Sequence, residues 1–122
     1  MNAWGKLAVF NCYRCNPYSI RCPTRITEFS KTLVKRIDMV AYGQPKVIHF
    51  GSGNKAGYTL VQLIETSNIT AHFCEEDNKA FIDVFSCKYF DSNEVKKVIQ
   101  EFFQPHHIHS EELLREAYPE MK

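Results

Sequence analysis

Apolar residues recur at steps of three and four positions in two separate stretches of the chain. Such a stripe is typical of a helix that buries one face. Thr24 is a candidate N-cap for a first helix over residues 25–40, which Gly43 would end, and Asp91 or Ser92 can cap the second. The apolar positions are Ile26, Phe29, Leu33, Ile37 and Val40 in the first stretch, and Val95, Val98, Ile99, Phe102 and Phe103 in the second.

Runs rich in β-forming residues flank and separate these helices. They predict strands over residues 6–13, 46–50, 58–65, 69–74 and 79–87, with turns at Thr66-Ser67-Asn68 and Asp77-Asn78. A short strand over residues 106–109 and a short terminal helix follow. The residues that indicate this terminal helix are Ser110, Leu113, Leu114 and Tyr118.

Consecutive strands joined by tight turns favour an antiparallel sheet, and two amphipathic helices suffice to cover one of its faces. The predicted fold class is therefore α+β, a two-layer α/β sandwich with a mainly antiparallel sheet. The uncovered face must meet something, and a second copy of the chain is the most economical partner. We therefore expect a homodimer.

The composition excludes several function classes without identifying one. The chain has 122 residues, 44% of them hydrophobic and 24% charged, which fits a single soluble domain over residues 1–122. A net charge of +1 provides no basic surface for nucleic acid. No apolar run approaches the roughly 20 residues of a membrane helix, and no signal-peptide cleavage pattern is present. The odd count of five cysteines favours a reduced, cytoplasmic location over a disulfide scaffold.

Two motifs have alternative interpretations. Cys12, Cys15 and Cys22, with the cluster of three histidines between residues 106 and 109, could form a zinc site, but the histidines are remote in sequence and we favour ordinary thiols. The glycine-rich segment 51–57 loosely matches a dinucleotide-binding fingerprint. It precedes a strand rather than a helix, so a hairpin loop is the better interpretation.

The segment from Glu65 to Cys87 places a serine, a histidine and a cysteine inside two β-like runs, a combination that core strands do not need. Singly, each has an ordinary interpretation: a turn serine for Ser67, a structural hydrogen bonder for His72 and a buried thiol for Cys87. In a straight strand Ser67 and His72 would point to opposite faces. They can cooperate only if Ser67 lies in a turn or bulge before the regular strand.

Together these residues resemble the centre of the small prokaryotic S-adenosylmethionine decarboxylases. His72 follows Ser67 by five residues, Glu76 follows His72 by four, and Cys87 follows His72 by fifteen, all without a gap. The resemblance is strong over residues 60–87, looser but collinear from Gly5 onward, and weak after Phe103.

The resemblance implies a self-made cofactor. The hydroxyl of Ser67 would attack the carbonyl of Thr66, the chain would break between these two residues, and residue 67 would remain as a pyruvoyl group. Decarboxylation needs an electron sink that no unmodified side chain supplies, and this carbonyl would provide it. No metal or external cofactor is then expected.

The resemblance also implies roles for further residues. His72 matches the catalytic base and Cys87 the proton donor that acts after carbon dioxide leaves. Glu76 matches an acid that binds the ribose hydroxyls, although alone it fits a turn carboxylate. Phe50 matches, after a short gap, an aromatic residue near the adenine, although a core phenylalanine is at least as good an interpretation. Thr59 matches a hydroxyl residue that assists processing.

The expected function is decarboxylation of S-adenosylmethionine for polyamine (spermidine) synthesis. The alternatives are a pyruvoyl-dependent arginine or ornithine decarboxylase and a non-catalytic homologue that regulates an active subunit. The neighbours of the matched residues depart from the family. Thr66-Ser67-Asn68 replaces Glu-Ser-His, Phe73-Cys74-Glu75-Glu76 replaces Thr-Trp-Pro-Glu, and Lys88 replaces a glycine.

Overall fold

Six strands form one antiparallel sheet, and two helices pack on one of its faces. The structure is a computed structural model that describes residues 2–117. The strands are β1 (Gly5–Tyr13), β2 (Lys46–Phe50), β3 (Gly57–Ile64), β4 (Ser67–Cys74), β5 (Lys79–Ser86) and β6 (His107–Arg115), and the helices are α1 (Pro23–Arg36) and α2 (Ser92–Phe103). The strand order is β2-β3-β4-β5-β1-β6, and every neighbouring pair is antiparallel. The predicted α+β sandwich, with one face covered by two helices, is confirmed.

The helices and the sheet enclose one hydrophobic core. Alternate residues of the central strands are fully buried beneath the helices, among them Phe10, Phe73 and Ile82. Phe29 of α1 and Phe103 of α2 pack against each other, with ring centroids 4.8 Å apart. Burying a side chain of this size contributes about 1.5–3 kcal/mol, so this layer determines which face of the sheet is covered. Neither helix within residues 2–117 is long and apolar enough to cross a membrane.

The first helix begins two residues earlier than the apolar pattern predicts. Its N-cap is Cys22, whose sulfur accepts a hydrogen bond from the backbone N–H of Arg25 at 3.4 Å. Pro23 takes the first helical position, where the missing N–H has no intrahelical partner. The cap predicted at Thr24 is therefore wrong, whereas Asp91, one of the two caps predicted for α2, is the observed N-cap.

The same helix also ends earlier than predicted. Asp38 adopts a left-handed conformation with φ of 60°, which turns the chain out of the helix. The next residues pair beside the end of β3: the carbonyl of Val40 accepts from Glu65 at 2.9 Å, and the N–H of Tyr42 donates to Leu63 at 2.8 Å. This pairing overrides the helical periodicity, and the stop predicted at Gly43 is wrong.

The last described segment is a strand where a terminal helix was predicted. β6 pairs along the whole length of β1, so the predicted strand near His107 is present but longer, and the helix predicted from Ser110 is wrong. Tyr118, one of the residues that indicated this helix, lies outside the described residues. Buried Lys6 explains the difference. Its ammonium contacts the Glu112 carboxylate at 3.1 Å and the Phe90 carbonyl at 2.7 Å, and the extended β6 places Glu112 where it can compensate this charge.

The sheet face opposite the helices carries no second layer within the described residues. Cross-strand partners share a face, so the register assigns a set of large apolar residues to this open face. They are 38–58% exposed: Ile48, Phe50, Val61, Leu63, Phe81 and Leu113. An exposed apolar surface of this kind typically marks an interface.

Candidate active site

Ser67 is the first residue of β4 and follows a tight turn at Glu65-Thr66. Its φ is 151°, in a region of backbone conformation that residues other than glycine rarely adopt. It still pairs in register with Ile64 of β3 and Ser86 of β5. The peptide at the predicted cleavage point is therefore distorted and fixed within the sheet.

The peptide that precedes Ser67 is held from two sides. The carbonyl oxygen of Thr66 accepts a hydrogen bond from the backbone N–H of Cys87 at 2.9 Å. Its side-chain hydroxyl accepts from the Ser86 hydroxyl at 2.9 Å and donates to the Met39 sulfur at 3.3 Å. Ser86 is fully buried and itself accepts from the N–H of Lys88 at 3.0 Å. These contacts fix both the carbonyl group that Ser67 would attack and the side chain beside it.

Cys87 is brought to this peptide by the pairing of β4 with β5. Ser67 lies opposite Ser86, and Cys87 follows immediately after the strand ends. The residue is exposed rather than buried in the core. Thr66, Ser67, Ser86 and Cys87 therefore form one group, which we call the cleavage cluster.

His72 belongs to a second group farther along β4. Its Nδ1 lies 2.8 Å from the hydroxyl of Thr59, its cross-strand partner on β3, and its Nε2 lies 3.0 Å from the carbonyl oxygen of Lys55. The ring of Phe50, at the end of β2, lies 6.3 Å from the His72 ring between centroids. We call Phe50, Thr59 and His72 the histidine cluster.

One chain does not bring the two clusters together. The regular strand begins at Ser67, so His72 lies five residues along it, about 16 Å away at 3.3 Å per residue. By its register, His72 belongs to the open face of the sheet. A reaction that uses both Ser67 and His72 therefore needs one of these residues to come from another copy of the chain.

Glu76 lies in the exposed turn after β4. The side chain of its neighbour Glu75 is engaged instead, with its carboxylate 3.0 Å from Nε2 of His49. Arg21 donates to the backbone carbonyl of Glu75 and fastens the start of this turn. Glu76 takes no part in the pair of His49 and Glu75. It lies four residues beyond His72, near the end of β4 to which Phe50 is also close.

The sequence did not indicate Asp83. It lies on the open face of the central strand β5, between Val9 of β1 and Thr70 of β4 in the register. Partial burial raises the pKa of its carboxyl above the ordinary value, because desolvation disfavours the charged form. The alternating pattern of a strand predicts that an acid at this position faces solvent, and only the strand pairing shows that Asp83 lies between Val9 and Thr70 at the centre of the sheet.

The structure also shows where the cysteines considered for a zinc site and the glycine-rich segment 51–57 lie. Cys12 and Cys15 are buried, and burial raises the pKa of each thiol to about 12. Within residues 2–117, no three histidine, cysteine or acidic side chains are grouped closely enough to hold a metal ion. The glycine-rich segment is the loop between β2 and β3, with a short 3-10 turn at Gly53–Lys55, as the hairpin interpretation predicted.

The fold and the two clusters define a two-layer α+β sandwich with an open sheet face that carries a histidine site. The sequence model of one protein family, described as S-adenosylmethionine decarboxylase, matches residues 6–116. The chain belongs to the S-adenosylmethionine decarboxylase family, which confirms the resemblance and the prediction that it is an enzyme of this class.

A solved structure supports the fold assignment. The crystal structure of the adenosylmethionine decarboxylase from Aquifex aeolicus VF5 superposes with a TM-score of 0.80 at 21% sequence identity. The match covers 100% of this chain and 98% of that chain. Comparison with curated protein sequences gives no significant match.

Proposed function

We propose that this chain cleaves itself between Thr66 and Ser67, and that residue 67 becomes a pyruvoyl group on which S-adenosylmethionine is decarboxylated for polyamine (spermidine) synthesis. The observation that carries the proposal is the distorted peptide at Ser67, with its preceding carbonyl held by the N–H of Cys87. Family membership supports the substrate. We place the reaction in the cytoplasm, because an odd count of five cysteines favours reduced thiols over a disulfide scaffold.

The cleavage is an internal rearrangement followed by elimination. The Ser67 oxygen attacks the Thr66 carbonyl carbon, and the C–N bond breaks as the serine proton passes to nitrogen, which converts the amide to an ester. Loss of the α-proton of residue 67 then breaks the ester C–O bond and releases the Thr66 carboxylate. Water finally replaces the nitrogen, which departs as ammonia, and leaves a ketone carbon at residue 67.

The residues of the cleavage cluster fit this sequence of bonds. Attack places negative charge on the Thr66 oxygen, and the N–H of Cys87 already donates to that oxygen at 2.9 Å. Only the part of this bond that strengthens as charge develops lowers the barrier, so it contributes at most about 2.7–4 kcal/mol, the value for a preorganised oxyanion donor. The strain at Ser67 is relieved when the amide is converted, so it favours the forward direction.

Decarboxylation uses the same cluster after cleavage. Once formed, the pyruvoyl group would supply a carbonyl that condenses with the substrate amine and so withdraws the electron pair left by carbon dioxide. The Cys87 thiol is exposed beside residue 67 and donates the proton that completes the product. Its position supports this role, because a general acid must reach the reacting carbon.

A homodimer supplies the missing base. A second sheet packed on the open face would lie about 10 Å away. A two-fold axis between the sheets and across the strands would reverse the second β4, so that the end carrying His72 of the second copy lies over the end of β4 that begins with Ser67. The apolar open face supports this arrangement, and it would explain why His72 lies so far from Ser67 within one chain.

Self-cleavage is tested by the intact mass and the fragments on a denaturing gel. Wild-type protein should give fragments of residues 1–66 and 67–122, the second without a free amino group. Ser67→Ala should remain one chain, whereas the control Ser19→Ala should cleave normally, because Ser19 lies in a short turn remote from the cluster. A wild-type chain that stays whole, with Ser67 unmodified, contradicts the proposal and favours the regulatory homologue.

The substrate is tested by carbon dioxide release from carboxyl-labelled S-adenosylmethionine, arginine and ornithine in parallel. We expect release from S-adenosylmethionine alone. Release from arginine or ornithine instead would refute the substrate assignment and leave the cofactor assignment in place.

Glu76 gives a second test of the substrate, because its carboxylate is proposed to accept from the ribose hydroxyls. Hydrogen bonds to a charged group contribute about 1.5–3 kcal/mol, so Glu76→Gln should weaken S-adenosylmethionine binding by one to two powers of ten. Titration calorimetry on processed protein measures this. Asp77→Asn, a change of the next exposed acid in the same turn, is the control and should leave the affinity unchanged. Equal affinities in all three proteins would remove Glu76 from the site.

A further inference from the structure

The loop between β2 and β3 makes a direct contact with the candidate base. The carbonyl oxygen of Lys55 lies 3.0 Å from Nε2 of His72. A carbonyl oxygen only accepts hydrogen bonds, so Nε2 carries a hydrogen and donates it. In a neutral ring the lone pair is then on Nδ1, which accepts from the Thr59 hydroxyl at 2.8 Å. The contact to Lys55 therefore selects which ring nitrogen can take a proton.

The position of this carbonyl is fixed by backbone contacts on both sides. The N–H of Lys55 donates to the carbonyl of Ser52 at 3.1 Å, and the N–H of Ala56 donates to Gly53 at 3.2 Å, which closes a short turn. The carbonyl of Ala56 accepts from the N–H of Glu75 at 3.1 Å and ties the loop to the end of β4. The carbonyl of Lys55 therefore lies between the short turn and the hydrogen bond that joins Ala56 to Glu75.

Gly51 leaves the space that this carbonyl occupies. Its φ is 94°, and a Cβ atom added there would lie 2.5 Å from the Lys55 oxygen and 3.0 Å from the Lys55 carbonyl carbon. Real Cβ atoms do not approach a carbonyl oxygen so closely, so a side chain at position 51 must displace it. Gly53, in the same loop, has φ of 58° but no atom within 4 Å of its added Cβ.

We propose that Gly51 and the backbone carbonyl of Lys55 are positioning groups for His72: they hold its imidazole with the proton on Nε2 and the lone pair on Nδ1, facing Thr59. This inference rests on the proposed role of His72 as the base in processing. It assigns a function to the glycine-rich segment 51–57, which only loosely matches a dinucleotide-binding fingerprint. The side chain of Lys55 has no part in it.

The test reads the ring directly, in a background that cannot cleave. The parent is full-length Ser67→Ala with ¹⁵N-labelled histidine, measured at about pH 8.5, where an ordinary imidazole is neutral. A His72→Gln spectrum assigns the His72 signals. The parent should show one protonated nitrogen at Nε2 and one unprotonated nitrogen at Nδ1. Averaged signals, or the proton on Nδ1, would overturn the proposal whatever the variants do.

Three variants then distinguish the effect of the Lys55 carbonyl from the effects of the Lys55 side chain and of the rest of the loop. Added to the parent, Gly51→Ala should abolish the fixed tautomer and give averaged signals. Gly53→Ala introduces the same methyl group at another positive φ without touching the Lys55 carbonyl, and Lys55→Ala removes only the side chain, so both should keep the parent pattern. A Gly51→Ala protein that is folded by circular dichroism and retains the Nε2-protonated ring contradicts the proposal.

Cleavage rates with native Ser67 link the tautomer to the reaction. Displacing a reacting group by about 1 Å can slow a reaction 10²-fold, and we expect a loss of that order for Gly51→Ala, with Gly53→Ala close to wild type. Unchanged cleavage in Gly51→Ala, despite lost tautomer order, would overturn the positioning role. If wild-type protein does not cleave at all, the proposed function fails, whereas the tautomer measurement still decides whether the loop orders His72.

Discussion

Ser67 occupies a conformation that suits glycine, and this strain is a property of the single residue. Its φ of 151° lies where a side chain is unfavourable by about 1–3 kcal/mol. The pairing of β4 with its two neighbouring strands and the contacts of Thr66 maintain it. The sheet, rather than the local sequence, therefore sustains the distorted peptide.

The strain predicts an order of stability for two variants that cannot cleave. Ser67→Gly relieves the strain but loses about 0.5–1 kcal/mol through backbone entropy, whereas Ser67→Ala keeps the strain. Ser67→Gly should therefore be the more stable by about 1 kcal/mol in denaturant unfolding. An alanine variant at least as stable as the glycine variant would show that the peptide is not strained.

Cys87 contributes through two different atoms, which one substitution can separate. Cys87→Ala removes the thiol but keeps the backbone N–H that donates to the Thr66 carbonyl. We expect normal cleavage and a decarboxylation rate lowered by about 10²–10⁴, the usual contribution of a general acid. Fragment analysis and labelled carbon dioxide release measure the two steps on one sample. Near-normal turnover would exclude the thiol from the mechanism.

The sequence could indicate residues whose chemistry resides in side chains at fixed spacing. Ser67, His72 and Cys87 are of this kind, and their spacing is what produced the resemblance that made them candidates. It could not indicate the Lys55 carbonyl, because every residue carries one and only the folded loop aims it at His72. Nor could it show that Ser86 holds Thr66, since a buried serine in a strand looks ordinary until the register is known.

At the scale of elements, local periodicity predicted most of the structure and failed where tertiary pairing competes with it. Residues 37–40 continue the apolar stripe of α1, yet the chain leaves the helix at Asp38 and pairs beside β3. The segment after Ser110 carries helix-compatible leucines, yet it extends along β1, where Glu112 meets buried Lys6. In both cases a partner distant in sequence decides the conformation, and such a partner leaves no local pattern.

The hairpin of β3 and β4 depends on a glycine at its open end. Gly57 has φ of 156°, and an added Cβ would lie 1.6 Å from the carbonyl oxygen of Phe73 on the neighbouring strand. Gly57→Ala must separate the strands there, so we expect a loss of about 3 kcal/mol or more in the free energy of unfolding. Thermal and denaturant unfolding measure it.

Gly43→Ala provides the matched control for that prediction. Its φ is 78°, but no atom lies within 4 Å of an added Cβ. It should lose only about 1–2 kcal/mol, the usual penalty of a left-handed conformation. Equal losses in the two variants would mean that the close approach of the strands at Gly57 has no structural importance.

At the scale of the whole molecule, the open face of the sheet predicts the oligomeric state. Leu63 is 50% exposed on this face, and a charge there would be unfavourable in a packed interface. Wild-type protein should sediment as a dimer at micromolar concentration, and Leu63→Glu as a monomer. Tyr18→Glu, at an 85% exposed position outside the sheet, should remain dimeric. A monomeric wild type would contradict the arrangement.

The dimer also predicts complementation between two inactive chains. Ser67→Ala lacks the nucleophile and His72→Ala lacks the base, so neither should cleave alone. In a mixed dimer one site combines Ser67 of one chain with His72 of the other. Co-expression should therefore restore cleavage, and only the His72→Ala chain should be cut. Absence of cleavage in a mixture shown to contain mixed dimers would mean that each chain uses its own histidine.

If the chain is cut as proposed, the strand order determines how its two products are held together. Residues 1–66 contribute β1, β2 and β3, and residues 67–122 contribute β4, β5 and β6. Because β1 lies between β5 and β6, the two products of the proposed cleavage would be interleaved in one sheet and could not separate without breaking it. If the chain is cut as proposed, melting of a single protomer becomes a dissociation of two polypeptides, so its midpoint rises with protein concentration even where the dimer has already separated into protomers. An uncut protomer could refold as one polypeptide, whereas a protomer cut as proposed would have to find its other half and would depend on having been assembled before the cut.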